Sequence, residues 1–208
     1  MNKSEATRVL GIDPGLSITG YGLIETAFPV PTLIEAGVLR NRSGEALEKR
    51  LRELYEGILK VIENGNPKTV AVESLFSNYK HPTSALQMAH ARGVLFLAAA
   101  QAGLPVFSYE PARVKKSLTG RGRASKRQVQ DMIQSVFSLD RLPEPPDVAD
   151  ALAVALCHAN TLKSGTVIDS RGSRRLPEII ERALENSHPA DSGPAPLDQV
   201  LKGIAKKK

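Results

Sequence analysis

The sequence holds a single cysteine, Cys157, and no tryptophan. A lone cysteine excludes a disulfide framework and a multi-cysteine zinc site. Aromatic residues make up only 4% of the chain, and none follows Phe137. No apolar run approaches the roughly 18 residues needed to cross a bilayer. The opening Met-Asn-Lys-Ser-Glu-Ala-Thr-Arg has no apolar stretch of the secretory kind. These absences predict a soluble, cytoplasmic protein without a membrane partner.

What is present is a basic surplus in one place. The chain carries 28 Lys and Arg against 22 Asp and Glu over 208 residues. Residues 110–127 alone contain Arg113, Lys115, Lys116, Arg121, Arg123, Lys126 and Arg127 against the single acid Glu110. A localised cluster broken by Gly120 and Gly122 suits a polyanion, whereas a diffuse excess of lysine would speak only of solubility.

The hydrophobic pattern predicts strands over residues 8–13, 19–24 and 32–39, joined by short links as an antiparallel meander. Leu47, Leu51, Leu54, Ile58, Val61 and Ile62 recur at three and four residues, as on an amphipathic helix. A buried strand over 69–73, an Ala-rich helix over 83–103 buried on much of its surface, and a strand over 105–109 follow. A short helix over 113–118, a helix over 125–137 and a last helix over 147–162 complete the domain, with Pro145-Pro146 opening the last one. The order is written β-β-β-α-β-α-β-α-α, an α/β mixed five-stranded sheet with helices on both faces. Composition changes after residue 163, so a domain over 1–163 and a flexible basic extension over 164–208 are expected, with helical stretches at most over 176–184 and 197–204.

Two apolar strands end in acids, Leu10-Gly-Ile-Asp13 and Val70-Ala-Val-Glu73. A carboxylate there is costly to desolvate unless something uses it. Asp147 and Asp150 are spaced i,i+3 and share one face of an otherwise apolar helix. Singly, Asp147 could cap a helix and Asp13 could open a turn. Jointly, four converging carboxylates repel, and the usual remedy is a hard divalent cation, Mg²⁺ or Mn²⁺. Two such ions ~4 Å apart can activate water and stabilise a leaving oxygen in phosphodiester hydrolysis.

Gly11-Ile-Asp-Pro-Gly15, Thr19-Gly-Tyr-Gly22, Val72-Glu-Ser-Leu-Phe76, Ala91-Arg-Gly93 and Asp147-Val-Ala-Asp-Ala-Leu152 together resemble the RuvC family of Holliday junction resolvases, which have an RNase H-like fold. The resemblance runs in order over residues 7–162. It implies catalytic, metal-binding roles for Asp13, Glu73, Asp147 and Asp150, with two Mg²⁺ per site. It implies a homodimer acting on four-way junction DNA, paired nicks that leave 5′-phosphate and 3′-hydroxyl ends, and a RuvA–RuvB branch-migration complex as partner. It also implies that Phe76 stacks on a base and that Lys115 and Lys126 contact DNA or assist at the site. Lys116, Arg121, Arg123 and Arg127 are expected to join them in holding the backbone. Two rivals share the fold: sugar kinases and actin-like ATPases, whose second phosphate loop is absent here, and a YqgF-like nuclease acting on RNA. A non-catalytic junction-binding module would require a broken acid set, and this set is intact. His81, His90 and His158 show no ligand spacing, and Cys157 is expected to be a buried hydrophobe.

Overall fold

The structure, a computed structural model, describes residues 6–26, 30–42, 44–74 and 82–164. Strands β1 (Thr7–Asp13), β2 (Ile18–Thr26) and β3 (Thr32–Arg40) pair antiparallel, as the short links between them require. After helix α1 (Leu47–Gly65), strand β4 (Thr69–Glu73) lies parallel to β1. Helix α2 (Pro82–Gln101) then leads to β5 (Val106–Tyr109), parallel to β4. The resulting sheet order is β3-β2-β1-β4-β5. Three helices follow β5, where the order written from sequence allows two: α3 (Pro111–Thr119), α4 (Lys126–Val136) and α5 (Pro146–Ser164). The additional one is α3, the short helix expected over 113–118. Its nine residues start from Pro111 at the first turn and stop at Gly120, whose positive φ of 72° suits glycine.

Period-two alternation sorts each strand between two cores. Leu10, Ile12, Val70 and Val72 face α1 and α2. Val9, Ala71, Phe107 and Tyr109 face α5, with α3 and α4 beside it. Helix α5 is the buried one, with residues 148–159 almost wholly enclosed. Helix α2 buries less than its Ala-rich composition predicts: Ala91, Leu95, Ala98 and Ala99 are enclosed, while Leu86 and Leu97 are 62% and 52% exposed. In a single chain α2 has the sheet and α1 on one side only.

Two glycines bring α5 onto the sheet. A Cβ at Gly11 would stand 2.2 Å from the Ala151 carbonyl oxygen, and one at Gly20 would stand 2.1 Å from that of Asp147. Any side chain at either position would hold the helix off. The first turn of α5 therefore rests against β2, directly across from the end of β1.

Cys157 and His158 are both buried in α5, the cysteine as a small hydrophobe. His158 stacks on Phe107 at 4.5 Å between ring centroids, and its Nδ1 lies 2.6 Å from the Tyr109 hydroxyl. Burial pushes its pKa down to about 3, so the ring is neutral.

Candidate metal-binding active site

The strand register places the first two acids together. Ile12 pairs with Val72 in the parallel β1–β4 ladder, so Asp13 and Glu73, one residue on, end side by side. Since Ile12 and Val72 face α2, alternation turns both carboxylates towards α5. Asp147 lies in the first turn of α5 and Asp150 one turn further on the same face. All four line one cleft of about 390 Å³, shared with Pro14, Gly15, Ile18, Met88, Lys115 and Lys126.

The electrostatics record the crowding. Burial first, then repulsion from Glu73, Asp150 and Asp147, pushes the Asp13 carboxyl up to about 8. Burial and Asp150 push Glu73 up to about 7, against the pull of Lys115 and Lys126. Asp150 is also raised, chiefly by burial, although Lys126 Nζ stands 3.5 Å from its Oδ2. Lys126 is 74% exposed, and an ion pair in that setting contributes little. Two lysines do not offset four carboxylates.

Among the described residues, no His, Cys, Asp and Glu side chains are already gathered as a ready-made metal cage. The donor chemistry nevertheless fits Mg²⁺ or Mn²⁺, because the acids of the cleft offer carboxylate oxygens whose charge is uncompensated. A divalent ion would offset the burial and the repulsion that together hold protons on Asp13 and Glu73.

The cluster of basic residues divides. Lys115 of α3 and Lys126 of α4 reach the cleft. Lys116, Arg121, Arg123 and Arg127 do not line it. Arg127 Nε pairs with Asp131 Oδ1 at 2.9 Å, and Arg121 lines a separate groove with Thr119, Gln128 and Asp131. Lys126 is fixed where it is by a capping box at the start of α4. Ser125 Oγ accepts from the Gln128 backbone N–H at 3.2 Å, and the Gln128 side chain accepts from the Ser125 N–H at 2.9 Å. Phe76 and His81 lie outside the described residues, as do the expected helical stretches of the C-terminal extension.

Two further residues shape the site, and the sequence pattern assigns neither a role. Arg92 of α2 donates from Nη1 to the Glu73 carbonyl at 2.5 Å and from Nη2 to Ser108 Oγ at 2.7 Å, with its guanidinium over the Phe96 ring. It ties the ends of β4 and β5 to α2. Buried Thr19 donates from Oγ1 to the Gly15 carbonyl at 2.5 Å and closes the turn that follows Asp13. The available signal for Arg92 is its place in Ala91-Arg-Gly93; for Thr19 it is a hydroxyl four residues after a Pro-Gly turn.

Known proteins share both the sequence and the fold. The family model described as "Crossover junction endodeoxyribonuclease RuvC" matches residues 9–158. The protein of that name from Rhodopirellula baltica is 49% identical over 152 residues, covering 73% of this chain and 85% of its own. Its counterpart from Pelotomaculum thermopropionicum is 47% identical over 152 residues, covering 73% of this chain and 92% of its own. Among solved structures, Thermus thermophilus RuvC in complex with Holliday junction substrate superposes with a TM-score of 0.73 at 32% identity, over 82% of this chain and 99% of that one. The yeast mitochondrial Holliday junction resolvase Ydc2 shares the fold, with a TM-score of 0.56 at 18% identity over 76% of this chain and 81% of that one.

Proposed function

Because the chain belongs to the RuvC family of crossover junction endodeoxyribonucleases, we propose that its acidic cleft is the active site at which it nicks four-way DNA junctions in recombination and repair. The observation that carries this reading is the convergence of Asp13, Glu73, Asp147 and Asp150 with Lys115 and Lys126 in one cleft. The four carboxylates would hold two Mg²⁺ ions, or Mn²⁺ in their place. When bound, such ions supply an activated water and neutralise charge on the scissile phosphate.

The chain's own groups do the remaining work. Asp13 and Glu73, fixed by the strand register, and Asp147 and Asp150, fixed by the seat of α5, present oxygens from three rigid elements, β1, β4 and α5. Lys126 gives up Asp150 for the substrate phosphate, and Lys115 approaches the same space from α3. Both position the backbone and stabilise the charge that builds in the transition state. Hydrolysis would leave a 5′-phosphate and a 3′-hydroxyl. Incubation with a four-way junction, linear duplex and RNA/DNA hybrid, with and without Mg²⁺, tests the assignment. Paired, metal-dependent nicks confined to the junction are expected; equal cleavage of the hybrid would move the reading to an RNA nuclease.

The lysines give an electrostatic prediction. Lys115→Gln with Lys126→Gln should lower the log–log salt slope of junction binding by about one unit for each phosphate no longer neutralised. An unchanged slope would confine both residues to local charge balance.

Cutting two strands of a junction calls for two sites, and α2 supports a homodimer. Leu86 and Leu97 lie exposed along α2, and a Cβ at Gly93 between them would meet nothing within 4 Å. An apolar stripe with a small residue at its centre suits close approach of a second copy. Leu86→Glu with Leu97→Glu should give a folded monomer by sedimentation and abolish paired nicking. A dimer surviving both changes would place the interface elsewhere. The RuvA–RuvB complex is the expected partner on the strength of the family alone.

A further inference from the structure

A second group of cations stands on the other side of the cleft from Lys115 and Lys126. Ile18, which lines the cleft, pairs directly with Arg40 at the end of β3. Directly paired residues of an antiparallel ladder face the same way, and Gly20, two residues on from Ile18, faces α5. Arg40 therefore lies on the acid-bearing face of the sheet, two strands from Asp13. Asn41 follows and fastens this corner: its N–H donates to the Ser17 carbonyl at 3.1 Å, and its Nδ2 donates to the Leu16 and Arg50 carbonyls at 3.0 Å. Arg50, from the first turns of α1, donates from Nη2 to Ser17 Oγ at 3.0 Å.

Arg40 and Arg42 thus flank Asn41, whose hydrogen bonds join this corner to the loop after Asp13 and to Arg50 on the α1 side of the sheet. None of the three arginines has a carboxylate partner among the described residues, although other surface arginines of the chain do, as in Arg8–Glu25 and Arg52–Glu56. Arg50 is only 9% exposed, and its Nε is buried without a hydrogen-bond partner. Among the described residues, an enclosed guanidinium bonded to exposed Ser17 has no carboxylate to neutralise it, and exposed Arg40 and Arg42 at the same corner have none either.

We infer that Arg40, Arg42, Arg50 and Ser17 form a second phosphate-binding surface, which holds the DNA backbone on the β2–β3 side of the cleft. This rests on the reading of the cleft as a junction nuclease and extends it. The strand to be cut is then gripped on both flanks, by Lys115 and Lys126 on one and by this arginine corner on the other. Guanidinium forks suit the task, because they bind phosphate oxygens in pairs and fix direction as well as distance.

The test is equilibrium binding of a four-way junction in EDTA across a range of salt concentrations. Arg40 and Arg42 are exposed, so Arg40→Gln with Arg42→Gln leaves the core untouched. The control is Lys60→Gln with Lys68→Gln, which removes the same charge from exposed positions. Lys68 immediately precedes β4, at the end of that strand opposite Glu73. The arginine pair should lower the salt slope by about two units, at roughly 0.9 per phosphate, and the lysine pair should leave it unchanged. Equal falls in both pairs would reduce the effect to net charge and overturn the assignment, as would an unchanged slope in the arginine pair. Failure of the unsubstituted protein to prefer junction over linear duplex would instead overturn the nuclease reading and the surface with it.

Discussion

Asp13→Asn should abolish junction nicking, by on the order of 10³-fold or more, the scale seen when a single preorganised electrostatic group is removed from an active site. Junction binding in EDTA should persist, because on the proposed reading the change would remove a metal ligand and spare the phosphate contacts. The same substitution should stabilise the metal-free protein. In the folded chain Asp13 is raised to about 8 from its ordinary value of 3.8, and Glu73 to about 7 from 4.5. Between those limits the folded protein holds protons that the unfolded chain has released. The contribution of these two groups to stability is therefore greatest below about pH 4 and falls as pH rises through about 7 and 8. Every pH unit by which a carboxyl pKa is raised corresponds to ~1.4 kcal/mol, so the cost at pH 8 is several kcal/mol. Asparagine removes it, and the metal-free Tm at pH 8 should rise by roughly 5–10 °C. A variant that loses both cleavage and stability would mean that Asp13 serves the fold.

Gly11→Ala should be among the most damaging single methyls at the described glycines. Its Cβ would meet the Ala151 carbonyl oxygen at 2.2 Å and the Ala155 backbone nitrogen at 2.7 Å, neither of which can rotate away. Relief requires α5 to lift from the sheet, opening a core that includes Val9, Leu152 and Ala155. Overpacking of this kind costs about 1–3 kcal/mol, and a backbone clash belongs at the upper end or above. The expected Tm loss is roughly 6–12 °C. Cleavage at a temperature where the variant remains folded should fall as well, because Asp147 and Asp150 travel with α5 while Asp13 and Glu73 stay with the sheet. Gly93→Ala, on the open side of α2, should leave monomer stability unchanged within about 0.5 kcal/mol. Equal effects at Gly11 and Gly93 would show that α5 does not need its glycine seat.

The four acids are legible in the sequence because each breaks a local rule: two end apolar strands, and two mark one face of an apolar helix. Their convergence depends on the β1–β4 register and on Gly11 and Gly20, which in the sequence are motif letters with no partner named. The pressure of α5 on the sheet is a tertiary fact. The basic cluster is narrower in space than in sequence, for a geometric reason. Lys115 and Lys116 are neighbours in the chain but stand about 100° apart around α3, so only Lys115 reaches the cleft. Charge counted along the chain peaks at residues 110–127 and passes over Arg40, Arg42 and Arg50, whose local surplus is diluted by Glu45 and Glu48. Folding brings their backbones to one corner through the hydrogen bonds of Asn41 to Leu16, Ser17 and Arg50. Beyond its place in Ala91-Arg-Gly93 the role of Arg92 is not legible, because its work is on a backbone carbonyl and a hydroxyl, and neither interaction has a sequence period.

On the proposed reading, the four crowded carboxylates of the cleft bind divalent metal. Calorimetric titration of Mg²⁺ at pH 7, repeated in buffers of different ionisation enthalpy, tests this directly. Binding should expel about one proton per cleft, because ligation requires Asp13 and Glu73 to ionise, and Asp13→Asn should remove most of that release. Mg²⁺ binding with no proton release, or release unchanged in Asp13→Asn, would contradict the account.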